Sequence, residues 1–407
     1  MNTRSIASFL LGTALALAAT SGAMAQDKTI KIGVLTDNSG LYADLGGPGS
    51  TLAAQMAIED SGLAAKGWKV DLISADHQNK PDIGTAVARQ WIDVEKVDVF
   101  MDVLNSGVAL AVNNVVKEKN AILIDTGAAT SDLTNAQCSP NTIHWVYDTY
   151  MLANSTGQAL VKAGGDTWYF LTADYAFGHA LERDTAAVVV KSGGKVVGSV
   201  KHPLNTADFS SFLLQAQASK AKIIGMANAG GDTTNTIKQA AEFGIVAGGQ
   251  KLAGLLLFIT DVHALGLKVA QGLNFTETFY WDLNDGTRAF SKRFSERMKN
   301  KAMPSMVQAG VYSGLIHYFK ALEALGGNPH DGAKVVAKMK EMPTDDPLFG
   351  QGSIRADGRK LHPAYLFEVK KPEESKGPWD YYKLIGTTAA DQAFRPLSES
   401  ACPLVKK

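Results

Sequence analysis

Ile30-Lys31-Ile32-Gly33-Val34-Leu35, then Asp37-Asn38-Ser39-Gly40, then Pro48: this stretch decides the fold. The first six residues alternate at period two, as a strand does. The polar tetrad is a turn signal, and Pro48 suits the first turn of a helix that carries Leu52, Met56 and Leu63 toward one face. The pattern repeats downstream, with strands predicted at Val70 to Ser74, Val97 to Met101 and Ala121 to Asp125, each followed by a polar or Gly-rich loop and a helix. A second series begins near residue 150, with strands at Thr167 to Leu171, Lys195 to Val200, Lys222 to Met226 and Leu252 to Leu257. Strands alternating with helices predict an α/β fold of two doubly wound, Rossmann-like lobes built on parallel sheets. Beyond Thr278-Phe279-Tyr280-Trp281 the pattern turns helical (Phe290 to Lys299, Val307 to Leu325). It returns to strands at Tyr365 to Val369 and Tyr381 to Ile385.

Upstream, residues 1–25 hold Arg4, an uncharged apolar stretch from Leu10 to Ala19, and Ala23-Met24-Ala25 just before Gln26. That is the layout of a cleaved secretion signal, so the mature chain is expected to start at Gln26 and to be periplasmic. No cysteine follows the apolar segment to take a lipid, and no later run approaches the roughly 18 apolar residues that span a bilayer. The expectation is an exported chain that is not itself embedded in a membrane.

Removing 25 of 407 residues leaves 382, above the roughly 250–300 at which one core stops growing, which again points to two lobes. Forty basic residues balance 40 acidic ones, which speaks against nucleic acid or an anionic membrane as partner. Cys138 and Cys402 are an even pair in an exported chain, and are expected to form a disulfide that pins the C-terminal tail.

The chain has no GxxxxGK[ST], no GxGxxG after a strand, no GxSxG, no HExxH and no CxxC. The eight histidines nowhere take the i, i+4 spacing of a helical metal site. No cofactor, metal or catalytic residue is therefore expected. An enzyme reading would have to rest on His179 and Asp174 as acid and base, and nothing supplies them a nucleophile.

Open α/β sheets bind ligands outside the carboxyl ends of their strands, where loops and helix N-termini present free N–H donors. Those positions hold Ser39 and Tyr42 after the first strand, the loop of residues 76–81 with His77 after the second, Asn105 and Ser106 after the third, and Gly127-Ala128-Ala129-Thr130 after the fourth. Small hydroxyl residues at helix starts suit a carboxylate.

With these residues in place the chain resembles a known family, the type I periplasmic solute-binding proteins of ABC importers, in the branch of leucine/isoleucine/valine-binding protein. The resemblance spans residues 29–370 and rests on four stretches. They are Ile30 to Ala43, Gly127 to Thr134, Asp174-Tyr175-Ala176-Phe177-Gly178 and Val311-Tyr312-Ser313-Gly314-Leu315. It implies two lobes that close on a small molecule and dock on an inner-membrane permease, as a monomer. It implies crossovers near residues 147, 279 and 358. The expected first lobe is then 26–147 plus 280–357, the second 148–279 plus 358–390, with a tail of 391–407. By family motif, Ser106, Ala128 and Thr130 would hold a ligand carboxylate, with Tyr42 lining the same cleft.

The departures say more. Family members that bind amino acids hold the ammonium with acidic groups and a Tyr hydroxyl, because a buried cation needs compensating charge. Here the Tyr position is Phe177, the carboxylate after the first crossover is Ala153, and the second-lobe Glu falls in Leu255-Leu256-Leu257-Phe258. Aromatic candidates remain in the second lobe: Tyr150, Tyr175, Phe177 and Phe258, with Phe279, Tyr280 and Trp281 at a crossover. The expected ligand is a carboxylate with an uncharged, aromatic body, of benzoate or cinnamate type. Two alternatives stay open: a branched-chain amino acid countered by Asp148 or Asp261, and a sensor that reports to a membrane receptor instead of a permease.

Overall fold

The computed structural model describes residues 28–406; the expected signal peptide lies outside them. The first sheet is built on β1 (Thr29–Thr36), whose apolar residues are buried from both sides. β2 (Lys69–Asp76), β3 (Val99–Asp102), β4 (Ile122–Asp125) and β5 (Thr142–His144) complete it in the order β2-β1-β3-β4-β5, all parallel. Four of these strands were expected. β5 is three residues long and two of them are polar, so it carries no periodic signal. The connecting helices are α1 (Gly47–Asp60), α2 (Pro81–Gln90) and α3 (Ser106–Lys119). α1 ends before Leu63, which is nonetheless fully buried.

The short helices α4 (Thr149–Leu152) and α5 (Gln158–Lys162) lead into the second sheet. It comprises β6 (Thr167–Ala173), β7 (Lys195–His202), β8 (Ile223–Ala227) and β9 (Lys251–Gly254), parallel in the order β7-β6-β8-β9. Three helices connect them: α6 (Ala176–Lys191), α7 (Ser210–Ala218) and α8 (Gly231–Glu242). The strand expected over Leu252 to Leu257 stops at Gly254, and residues 255–258 leave the sheet. α9 (Ile259–Leu265), α10 (Leu267–Ala270) and β10 (Asn274–Glu277) follow. β10 was not foreseen, because two of its four side chains are polar yet buried: Thr276 shares a hydrogen bond with Thr156 and Glu277 accepts one from Tyr382.

The helical block is α11 (Asp285–Arg297), α12 (Met306–Ala324) and α13 (Gly332–Glu341), then a small antiparallel sheet of β11 (Thr344–Asp346), β12 (Gly350–Ile354) and β13 (Lys360–Leu361) that no alternation announced. β14 (Ala364–Val369) then pairs antiparallel with both β10 and β15 (Tyr382–Thr388), a separate three-stranded sheet. α12 packs along α1. Its start is fixed by Ser305, which caps Gln308 N–H, donates to Leu45 O at 2.6 Å and leaves Gln308 Nε2 to reach Gly46 O at 3.0 Å. Cys138 and Cys402 are disulfide-bonded, both buried, with Cα atoms 5.6 Å apart. Among the described residues no helix is long and apolar enough to cross a membrane.

Candidate functional site

In both parallel sheets the strand order reverses at one point, beside β1 and β3 in the first and beside β6 and β8 in the second. Such switch points open a crevice at the carboxyl ends of the strands. The two crevices face each other and share one cleft. Tyr42, Leu45, Leu104, Ser106, Gly127 and Ala129 line it from the first sheet, Tyr175, Phe177, Ala229, Leu256 and Phe258 from the second, and Tyr147 from the segment between them.

Local chemistry fixes each lining group. Asp37 accepts from the N–H of Gly40 at 2.7 Å and of Tyr42 at 2.9 Å, and from Asn79 Nδ2 at 2.6 Å, which pins the turn that carries Tyr42. At the end of β3, Asp102 and Val103 sit at φ of 76° and 53°. The left-handed region strains a β-branched residue, and such strain collects where a chain must be aimed. Here it delivers Leu104 and Ser106. Asn105 caps α3 by accepting from Gly107 and Val108 N–H, which leaves the N–H of Ser106 without an acceptor among the described residues. Ser106 Oγ accepts from Thr130 N–H at 3.2 Å, so its own hydrogen is unspent. Gly127 admits no side chain, since a Cβ there would run into the Asp102 carboxyl and Leu104. Tyr147 Oη donates to Gly127 O at 2.5 Å and its ring meets Phe258 edge-on at 6.0 Å.

The two sides touch. Tyr42 and Tyr175 hydroxyls lie 2.7 Å apart, and at Gly230 a Cβ would come within 2.9 Å of Leu41 O and 3.1 Å of Tyr42 Cδ1. Only glycine at 230 lets the loop after β8 approach the loop after β1 this closely. Burial pushes the phenols of Tyr42, Tyr147 and Tyr175 well up, so all three are neutral donors. No lining residue is acidic or basic. Beneath the first-sheet loops, burial pushes the Asp102 carboxyl up to about 6 against the hydroxyls of Ser50 and Thr36, and pushes Asp125 well above the carboxylate range.

Of the residues singled out in the sequence, Tyr42, Ser106, Tyr175, Phe177 and Phe258 meet at this cleft. Gly127, Ala129 and Leu256 line it as well, whereas Ser39, Asn105, Ala128, Thr130 and Tyr150 do not. Ser39 is exposed and donates to Asp76 at 2.6 Å. Asn105 is spent as the cap. Ala128 N–H donates to Asp125 at 3.1 Å, and Thr130 Oγ1 caps Asp132 N–H at 3.3 Å. Tyr150 lies half-buried under the Arg395 guanidinium, 4.7 Å from its ring centre. Leu45, Leu104, Tyr147 and Ala229 were not singled out. Ala229 follows β8 and was within reach of the strand-end rule; Tyr147 lies at the predicted crossover and follows β5, the strand that carries no periodic signal.

His179 and Asp174 form an exposed pair at 2.8 Å outside the lining, joined by Lys201 at 3.8 Å. His77 is buried, accepts from Asn79 N–H at 3.0 Å, and is held down to about 4 by burial, a turn-building role. Neither faces the cleft.

Residues 29–378 match the family model described as periplasmic binding protein. A periplasmic binding protein of known structure from Burkholderia mallei is 51% identical, with a TM-score of 0.90 over 93% of this chain and 100% of that one. A structure described as a branched chain amino acid ABC transporter periplasmic ligand-binding protein, from Burkholderia xenovorans, is 42% identical, with a TM-score of 0.82 over 93% and 100%. A solute-binding protein of an ABC transporter from R. palustris, solved in complex with 4-hydroxybenzoate, is 25% identical, with a TM-score of 0.80 over 89% and 97%.

Proposed function

This chain belongs to the periplasmic binding protein family, as a substrate-binding protein of an ABC transporter, and from that premise we propose that its ligand is a small aromatic carboxylate of benzoate type. The observation that carries the reading is the absence of any acidic side chain from the cleft lining. A buried ammonium group would stand there without a counter-ion, at a cost of several kcal/mol. The two acids that could have served are engaged elsewhere: Asp148 accepts from Met151 N–H at 2.8 Å and faces Arg359, and Asp261 accepts from Phe258 N–H at 2.9 Å.

A carboxylate is matched by the hydroxyl and N–H of Ser106 and by the N–H of Ala129, which has no acceptor among the described residues. The Ser106 donors stand at the start of α3, where the helix dipole favours an anion, and Ala129 lies in the loop after β4. The rings of Tyr175, Phe177, Tyr147 and Phe258 would enclose the body of the ligand, with about 0.5–1.5 kcal/mol per ring pair beyond burial. The R. palustris relative with bound 4-hydroxybenzoate supports this reading. The B. xenovorans relative, by its description, supports the second one, a branched-chain amino acid.

The lobes are proposed as 26–147 plus 280–357 and 148–279 plus 358–390, hinged so that a closed, monomeric, liganded form is what an inner-membrane permease reads. Calorimetric titration of the exported chain with benzoate, 4-hydroxybenzoate and leucine decides between the ligands. Saturable binding of the aromatic acids and none of leucine is expected. Tight leucine binding with no heat from either aromatic acid would overturn the proposal in favour of the amino acid.

A further inference from the structure

The hydroxyls of Tyr42 and Tyr175 bring two O–H hydrogens into one 2.7 Å contact, and such a contact consumes one of them. The second hydrogen and the remaining lone pairs have no partner among the described residues, and the cleft the pair lines is otherwise mostly apolar. Tyr147, the third phenol of the cleft, spends its hydrogen on Gly127 O. The Tyr pair is thus a donor and an acceptor left without partners in a largely apolar cleft, where an unmade hydrogen bond is costly.

Its position relative to the anion donors follows from the sheet. Tyr42 follows β1 and Gly127 to Ala129 follow β4, and in the order β2-β1-β3-β4-β5 these strands are two spacings apart. Ser106, after β3, stands between them, and all of these loops line the same cleft. A ring whose carboxylate meets Ser106 and Ala129 carries its far end toward the Tyr pair. A phenolic hydroxyl there can accept the unspent hydrogen and donate to the free lone pair together; a bare or methylated ring can do neither.

Resting on the aromatic reading above, we propose that the Tyr42–Tyr175 hydroxyl pair is a specificity element that selects ring-hydroxylated aromatic acids over their unsubstituted and methylated counterparts. Sites built to hydrogen-bond a ligand hydroxyl reject the analogue lacking it, because their own groups are then left unpaired.

The test is calorimetric titration of the wild-type chain and of Tyr42→Phe and Tyr175→Phe with 4-hydroxybenzoate, 4-methylbenzoate and benzoate. Phenylalanine keeps the ring, so the fold is retained and only the hydroxyl is lost. The wild type is expected to prefer the hydroxy acid over the methyl acid by at least about tenfold, and each variant to bring that ratio below about threefold. Comparable wild-type affinity for all three acids would overturn this inference while leaving the aromatic reading intact, as would an undiminished ratio in both variants. Absence of binding to every aromatic acid would overturn both.

Discussion

Asp148 Oδ2 and Arg359 Nη1 face each other at 3.4 Å with both side chains buried. Arg359 also donates to the carbonyls of Val146 at 2.8 Å and Lys360 at 3.0 Å, so it ties the segment after β5 to the strand that begins at residue 360. Asp148 belongs to this structural tie.

A buried charge that loses its partner costs about 3–5 kcal/mol, most of it from the charge left behind. Asp148→Asn is therefore expected to lower stability by about 3 kcal/mol in chemical denaturation, near the bottom of that range because the Arg359 carbonyl contacts persist. Affinity for an aromatic acid, titrated where the variant is still folded, should stay within about threefold of wild type, well under 1 kcal/mol. A loss of affinity without a loss of stability would instead make Asp148 a ligand group.

Asp102 gives a pH prediction. Burial holds its carboxyl at about 6 against an ordinary 3.8, so the folded chain binds this proton more tightly than the unfolded one. The stabilisation from that proton is complete below about pH 4 and is lost as the pH rises through 6. Asp102→Asn keeps the shape and never ionises. The variant should match wild type near pH 4 and exceed it at pH 7.5 by on the order of 3 kcal/mol. Asp232, also raised to about 6, and Asp261, raised to about 7, slope the same way in both proteins, so the difference between the two curves isolates Asp102. A difference that does not change with pH would show Asp102 to be ionised throughout.

The Cys138–Cys402 bridge closes a loop of 264 residues. Chain entropy alone predicts about 5 kcal/mol of stabilisation from a loop that long. The double variant Cys138→Ser/Cys402→Ser should lose an amount of that order in denaturant titration. Reductant should destabilise wild type to the same level and leave the variant unmoved. An unchanged midpoint in the double variant would mean that the chain-entropy gain is cancelled in the folded state and that the bridge contributes no net stability.

What the sequence made legible was whatever repeats. Both parallel sheets followed from apolar runs such as Ile30 to Leu35, the strand-end rule picked out Tyr42 and Ser106, and the family resemblance brought Tyr175 and Phe177 from the second lobe to the same cleft. β5 and β10 were missed because polar residues occupy buried strand positions there, matched one by one to partners far along the chain, as Glu277 is to Tyr382. Thr130 and Ala128 were reasonable as anion donors by motif. Their distance from the lining depends on the neighbours Asp132 and Asp125 claiming their hydrogen-bonding groups first, which periodicity does not carry. The run Leu255 to Phe258 reads equally as strand or as apolar loop, and only Phe258 in an extended conformation ahead of α9 decides it.

Ser106 concentrates the site prediction in one atom. Its Oγ accepts Thr130 N–H and keeps a hydrogen for the ligand, so Ser106→Ala removes a donor to an anion and leaves a buried N–H unpaired. Hydrogen bonds to charged groups contribute about 1.5–3 kcal/mol, which corresponds to roughly a 10- to 150-fold rise in Kd for an aromatic carboxylate. Ser39, also a strand-end serine but turned to solvent and bonded to Asp76, provides the contrast. Ser39→Ala should shift Kd by less than about twofold, since exposed hydrogen bonds contribute little. Titrating both variants with benzoate measures the two effects side by side. Equal losses would move the anion site toward the mouth of the cleft, and no loss in Ser106→Ala would remove the start of α3 from ligand binding.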